Sequence, residues 1–293
     1  MTIAVTGATG TIGRGVFDRI AAEVPVRLVG RSPERLTSLA APYPEVSVAG
    51  AEYGDADAMA SALAGTETLF FVSGREDARR RADQETAVAA AQDAGVSRIV
   101  YLSFLGAGPE CTFTFGRDHY WTEVAIRETG LAYTFLRDSW YQSMLPAMVE
   151  DDGVIRGPAA DGRVSAVAPE DVMDSAAAVL LATAAGEKVY DEQVFELTGP
   201  EAFTLDDAAA TLTTVTGRRI RYVDQTTAEA YLSRETYGAP RFEVDGWVTS
   251  YAAVATGELS TVTGDVAALT GHEPKTFEQY LRDKPESWTR LVG

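Results

Sequence analysis

A chain of 293 residues, 46% hydrophobic and 23% charged, has the proportions of a globular protein able to bury a large core, which excludes a disordered or fibrous chain. Its 43 Asp and Glu against 25 Lys and Arg give a formal charge of −18, which repels nucleic-acid phosphates and anionic headgroups and excludes both as expected partners. The lone cysteine, Cys111, excludes an internal disulfide and a cysteine-built metal site, and the opening Thr2-Ile3-Ala4-Val5 has neither a basic leader nor a long apolar run, so no signal peptide or membrane span is expected and a cytoplasmic location is.

Up to about residue 137, short apolar or β-branched runs alternate with longer helical stretches, the pattern of βαβ units and a parallel sheet. The strands are expected at Thr2 to Thr6, Val26 to Val29, Val46 to Val48, Thr68 to Val72, Arg98 to Ser103 and Ala132 to Leu136. The fold class is therefore α/β, a Rossmann-type doubly wound sheet. A domain boundary is expected near residue 150, with later segments able to return to the first domain and 151–293 forming a smaller α+β lobe that covers a substrate at the C-terminal edge of the sheet.

The first strand runs into Gly7-Ala8-Thr9-Gly10-Thr11-Ile12-Gly13 and then an amphipathic helix. Gly7 suits the tight turn, Gly10 the close approach of a pyrophosphate and Gly13 the close packing of helix on strand, while the helix N-terminus faces the anion. The second strand ends at Gly30-Arg31-Ser32, where an NAD-binding protein would place an acidic residue for the ribose 2′-hydroxyl. Arg31 can instead fork onto a 2′-phosphate, aided by Ser32 and Arg35, so NADPH is the expected cofactor. Gly7, Thr9, Gly10, Thr11, Ile12, Arg31, Ser32 and Arg35 thus form the expected cofactor set. Asp55, after the third strand, either accepts from the adenine amine or caps the following helix. The ends of strands four and five add Val72-Ser73-Gly74 and Ser103, with Phe104 beyond them facing the substrate.

The run Arg79-Arg80-Arg81 lies among acidic residues and is expected to decorate a solvated helix face. From Asp83 to Ala94, a stripe of alanines marks a helix lying close to the sheet, stopped by Gly95. Cys111 is expected in a loop. The only lysines are Lys188, Lys275 and Lys284, so the Tyr-Lys pair of ordinary short-chain dehydrogenases is excluded, as Tyr120 is followed four residues on by Val124. His119 stands on the corresponding helix, one turn from Glu123. It is either a surface imidazole paired with that carboxylate or a catalytic proton donor titrating near about 6.5. Two histidines without an acidic cluster indicate no metal. Trp140 and Tyr141 follow the sixth strand and serve either packing or a substrate platform, with Tyr141 a second catalytic candidate and Met144 a further pocket residue. Beyond them come a loop-rich passage, a helix near Pro169, strands at Gln193 to Leu197 and Ile220 to Val223, and helices from Leu205, Thr227, Asp245 and Thr276.

Together, Thr6 to Gly13, Gly30 to Pro33, Ala90 to Val96, Ile99 to Ser103, the run from His119 to Trp140-Tyr141, and Leu269 to Pro274 before Phe277 resemble the NmrA-like, atypical short-chain dehydrogenase/reductase family, in particular its NADPH-dependent quinone oxidoreductase branch. The resemblance implies NADPH bound by Gly7 to Ile12 and Arg31, and reduction of a quinone or related small electrophile. Isoflavone-reductase relatives carry a lysine where His119 stands, and quinone-reductase relatives a Glu-Asn pair where this chain has Ser143-Met144. The family also includes proteins that bind NADP(H) without catalysis and report redox state through a protein partner, which is the alternative function. A homodimer is compatible with either.

Overall fold

A computed structural model of the chain describes residues 1–292. The first half alternates strand and helix: β1 (Ile3–Thr6), α1 (Thr11–Ile20), β2 (Val26–Gly30), α2 (Pro33–Ala40), β3 (Ser47–Gly50), α3 (Ala56–Leu63), β4 (Thr68–Val72), α4 (Arg80–Asp93), β5 (Arg98–Phe104), α5 (Thr114–Glu128) and β6 (Ala132–Asp138). The remainder comprises α6 (Met144–Ala147), β7 (Val154–Gly157), α7 (Pro169–Ala184), β8 (Gln193–Leu197), α8 (Leu205–Thr216), β9 (Arg221–Asp224), α9 (Thr227–Arg234), α10 (Arg241–Ala255), α11 (Asp265–Thr270) and α12 (Phe277–Asp283).

Seven strands form one sheet in the order β3-β2-β1-β4-β5-β6-β8. β1 pairs in parallel with β2 on one side and β4 on the other, with Val5 opposite both Leu28 and Phe70. The chain order reverses between β1 and β4, and such a switch point opens a crevice at the C-terminal strand ends, where doubly wound folds take their ligands. The buried strands are near-continuous apolar runs because both faces of the sheet are covered. On one face, Ala4, Val29, Phe71, Tyr101 and Phe135 pack with Met59 of α3 and Ala87, Ala90 and Ala91 of α4. The alanines let α4 lie close to the sheet, and Gly95, at φ +80°, follows the helix.

The chain divides into two compact units, neither continuous in sequence. The first comprises Met1–Phe104, Asp118–Arg137 and Val172–Phe195, and the second comprises Leu105–Arg117, Asp138–Asp171 and the chain from Glu196 onward. The chain passes between the units several times, and most of α7 lies in the first. Inside that unit the Arg19 guanidinium meets Asp174 at 2.5 Å.

The second unit contains the parallel pair β7-β9. Its helices α8, α9 and α12 begin with reciprocal capping boxes, Thr204 with Asp207, Thr226 with Glu229 and Thr276 with Gln279. These explain why three of the four expected late helix starts fall within one residue of the observed ones. The fourth, expected at Asp245, starts at Arg241. Among the described residues no helix is long and apolar enough to cross a membrane.

Candidate functional site

The turn after β1 is built as a cradle. Gly7, at φ +68°, accepts from the Gly10 amide at 2.9 Å, and a Cβ there would sit 2.9 Å from Val72 Cβ. At Gly13 a Cβ would fall 2.4 Å from the Gly7 carbonyl oxygen, so only glycine lets α1 start this close to the loop. Gly10 is different. Its backbone is extended, and an added Cβ meets nothing nearer than the Gly7 carbonyl oxygen at 3.4 Å, so its bare face opens onto the space before the N-terminus of α1. The first turn of α1 carries no acidic side chain, leaving the helix-end amides to an anion.

A cleft of about 370 Å³ lies at this point in the first unit. Its lining brings together Gly7, Thr9 and Gly10 of the loop, Arg31, Ser32 and Arg35 after β2, and Val72, Ser73 and Gly74 after β4. Other expected residues stand elsewhere. Thr11 and Ile12 begin α1 outside the lining, with Ile12 buried. Asp55 caps α3, accepting from the Ala58 amide at 3.0 Å, and Ser103 is buried and donates to Glu123 at 2.6 Å.

Four cations, Arg31, Arg35, Arg75 and Arg80, line the cleft with three carboxylates, Glu52, Asp77 and Asp83. In a chain of formal charge −18 this is where a polyanion finds local positive charge. Tyr53 forms one wall. Its hydroxyl donates to the Val72 carbonyl at 2.6 Å, its ring meets Phe71 edge-on, and burial raises its pKa far above 10.

Arg80 corrects the expectation of a solvated basic run. Arg79 and Arg81 pair on the surface with Asp83 and Glu85 one turn on, but Arg80 is only 5% exposed. The signal was in the spacing: Arg80 precedes Gln84, Ala87 and Ala91 at helical intervals, on the buried stripe of α4. Its Nε donates to the Gly74 carbonyl at 3.2 Å, and its Nη2 lies 2.9 Å from His119 Nε2.

That contact fixes the chemistry of His119. Guanidinium can only donate, so Nε2 accepts and the ring proton sits on Nδ1, 3.0 Å from the Tyr101 hydroxyl. The ring is buried, and desolvation, together with Arg80 and Arg137, lowers its pKa well below the ordinary 6.5. His119 is thus neither a surface residue nor an imidazole titrating near neutrality. It does not pair with Glu123, which is fully buried and accepts two hydrogen bonds from Arg137, at 2.7 and 2.8 Å, and one from Ser103. Phe104 lies against the His119 ring, centroids 6.0 Å apart.

The remaining candidates belong to the second unit. Trp140 is 3% exposed and packs edge-on against Tyr251. The partly buried Tyr141 hydroxyl donates to Asp138 in a very short hydrogen bond; burial and that carboxylate hold its pKa well above 10. Met144 is exposed, and Cys111 lies in a turn, half-buried.

A doubly wound sheet, a glycine cradle at its switch point and arginines where an acidic ribose ligand would stand define an NADP(H)-type dinucleotide-binding protein. The profile of the NAD(P)H-binding family matches residues 7–183, and the chain belongs to that family. It is 31% identical over 284 residues to quinone oxidoreductase 2 of Escherichia coli K12, covering 94% of this chain and 96% of that protein. It is likewise 31% identical over 290 residues to a (4-alkanoyl-5-oxo-2,5-dihydrofuran-3-yl)methyl phosphate reductase of Streptomyces griseus, covering 98% and 99%. The crystal structure of the Escherichia coli NADPH-dependent quinone oxidoreductase complexed with NADPH superposes with a TM-score of 0.85 at 30% identity, covering 99% of this chain and all of that one. The likeness to NADPH-dependent quinone oxidoreductases expected from the sequence holds, and the fold is that of an NmrA structure, which superposes at 18% identity with a TM-score of 0.77.

Proposed function

We propose that the chain is an NADPH-dependent oxidoreductase that reduces a quinone or similar small electrophile by hydride transfer. The observation that carries this is the switch-point cleft, where the glycine cradle meets Arg31, Ser32 and Arg35 with no acidic residue at the end of β2. The residues fit the cofactor: a Cβ would fill the turn at Gly7 and Gly13, the face of Gly10 is open, and the donors beyond β2 are cationic. The α1 N-terminus and the loop amides bind the diphosphate, and Arg31 with Ser32 and Arg35 binds the 2′-phosphate.

When bound, NADPH supplies the hydride, so the protein's task is to orient the acceptor and stabilise the oxygen that gains charge. No Tyr-Lys pair is available for alcohol–ketone chemistry, since the three lysines are Lys188, Lys275 and Lys284. Tyr141 is the proposed hydroxyl donor of the second unit: it keeps its proton, which Asp138 accepts in a hydrogen bond in this structure, and it donates to an acceptor when that hydrogen bond opens. Trp140 and Met144 of the same unit, and separately Phe104 of the first, are proposed substrate contacts. His119 has both ring nitrogens engaged and acts by holding its neighbours. The finer proposals are a cytoplasmic location, no nucleic-acid partner for so acidic a chain, and a homodimer as the assembled form. A sensor acting through a protein partner is the less favoured function, since the two relatives at 31% identity, matched over nearly their whole length, carry the names of an oxidoreductase and a reductase.

Purified protein with NADPH and a panel of quinones and enones decides the matter. Acceptor-dependent loss of absorbance at about 340 nm is the expected result, and tight NADPH binding without oxidation by any acceptor would leave the sensor.

A further inference from the structure

The backbone of Gly74 lines the cleft, between Ser73 and Arg75. Both of its polar ends are already held. The Gly74 amide donates to Gln84 Oε1 at 2.8 Å, and its carbonyl accepts from Arg80 Nε at 3.2 Å. Arg80 and Gln84 stand one turn apart on α4, and each is anchored in turn on α5: Arg80 by His119 Nε2 at 2.9 Å, Gln84 by the Thr122 hydroxyl at 2.7 Å. Thr122 passes its own proton to the Asp118 carbonyl, and His119 Nδ1 meets the Tyr101 hydroxyl. Gln84 does not line the cleft and is fully buried.

This construction is expensive as a packing device. A buried guanidinium that donates to a carbonyl and to a neutral imidazole, with the Asp118 carboxylate 3.9 Å away, is held at a desolvation cost that an apolar side chain would avoid. Retaining it makes sense where a fixed geometry of the cleft lining matters. The clamp occupies Gly74's N–H and one acceptor site of its C=O, and sets the planes of the two peptides that meet at its Cα, and so the course of Val72 to Arg75 against whatever fills the cleft. A planar fork is suited to span two acceptors at once; a lysine ammonium on a flexible stem is not.

We propose that Arg80 and Gln84 are positioning residues that fix the Gly74 backbone for NADPH, and that His119 serves as the hydrogen-bond acceptor locking Arg80 in place. The inference rests on the assignment of the cleft to NADPH. It assigns His119 to cofactor affinity, not to proton transfer, and extends the binding machinery to a residue, Gln84, that the cofactor does not touch.

The test is fluorescence titration of NADPH, with steady-state kinetics at saturating NADPH, on the full chain and on Arg80→Lys, Arg80→Met, Gln84→Leu, His119→Leu and His119→Gln, folding being checked by circular dichroism. The clamp predicts that Arg80→Lys and Gln84→Leu each raise the NADPH Kd about tenfold, the loss of one charge-assisted or buried hydrogen bond. It also predicts that His119→Leu does the same, that His119→Gln stays within about threefold because its amide oxygen can accept from Arg80, and that kcat changes less than Kd throughout. If Arg80→Lys binds like wild type while Arg80→Met does not, Arg80 acts by charge alone and the clamp is wrong. If both His119 variants lose kcat at unchanged Kd, His119 belongs to the chemistry. The pair of His119 variants keeps the test open should Gln84→Leu fail to fold. Wild-type protein that binds no NADPH overturns the assignment of the cleft, whereas wild-type binding with unchanged Kd in the folded variants overturns the clamp alone.

Discussion

Gly10 and Gly13 stand three residues apart, at the N-cap and in the first turn of α1, yet the structure predicts opposite consequences for adding one methyl group to each. At Gly10 the backbone is extended and the methyl would have a single neighbour at 3.4 Å, so the folded chain tolerates it. Gly10 is the N-cap of α1, where alanine is inferior to glycine by up to about 1 kcal/mol, or about 2 °C in Tm for a chain of this size. The same methyl, however, occupies the face across which a diphosphate must approach. Overpacking of that kind costs about 1 to 3 kcal/mol, which translates to roughly 5- to 150-fold in NADPH Kd. At Gly13 the methyl would lie 2.4 Å from one backbone oxygen and 2.5 Å from a backbone carbon, neither of which can move without opening the turn. Gly13→Ala should therefore lose about 3 kcal/mol of stability, about 6 °C in Tm, whether or not cofactor is present. Thermal unfolding without cofactor and calorimetric titration with NADPH separate the two effects. Wild-type affinity in Gly10→Ala, or a Tm loss larger there than in Gly13→Ala, would refute the loop as a diphosphate cradle.

Arg31→Glu should raise the NADPH Kd about 10- to 100-fold while leaving NADH within a few-fold, since one charge-assisted contact to the 2′-phosphate is exchanged for a repulsion; unaltered NADPH affinity in calorimetry counts against the assignment. His119 gives a pH prediction. Its folded-state pKa lies below the ordinary 6.5, so as the pH falls below about 6.5 the unfolded chain takes up a proton that the folded chain refuses, and stability declines on acidification by up to about 1.4 kcal/mol per pH unit until the folded-state pKa is reached. Urea unfolding of wild type and His119→Gln between pH 5 and 8 should show a shallower acid slope in the variant; identical slopes would mean that the imidazole is not held neutral.

The first six strands were legible within one or two residues because strands covered on both faces carry uninterrupted apolar runs, and turn chemistry marks their ends. The glycine cradle and the arginine after β2 were legible for a related reason: each is a local solution to a local geometric need. β7 was not, because four residues between Gly153 and Pro158 look like part of a loop and gain their strand character only from pairing with β9. α11 was missed as well, being only six residues long. Arg80 was misread because a run of three arginines suggests solvent, although its register on the alanine stripe placed it inside. The nearest partner along the helix suggested Glu123 for His119, whereas contacts across α4 and α5 gave that histidine to Arg80 and the glutamate to Arg137. Asp55 was left between two roles by its sequence, and the hydrogen bond to Ala58 shows it capping α3.

The central claim is that this chain passes hydride from its own bound NADPH to an electrophile. Single-turnover mixing tests it most directly: protein in molar excess over NADPH, so that nearly all cofactor is bound, is mixed with a benzoquinone and followed at about 340 nm. The account predicts loss of one equivalent of NADPH at a rate well above that of the free cofactor, with the same quinone reduced far more slowly when Gly10→Ala protein is used at a concentration that leaves its NADPH mostly free. A bound cofactor oxidised no faster than NADPH alone, by any quinone or enone offered, would contradict it.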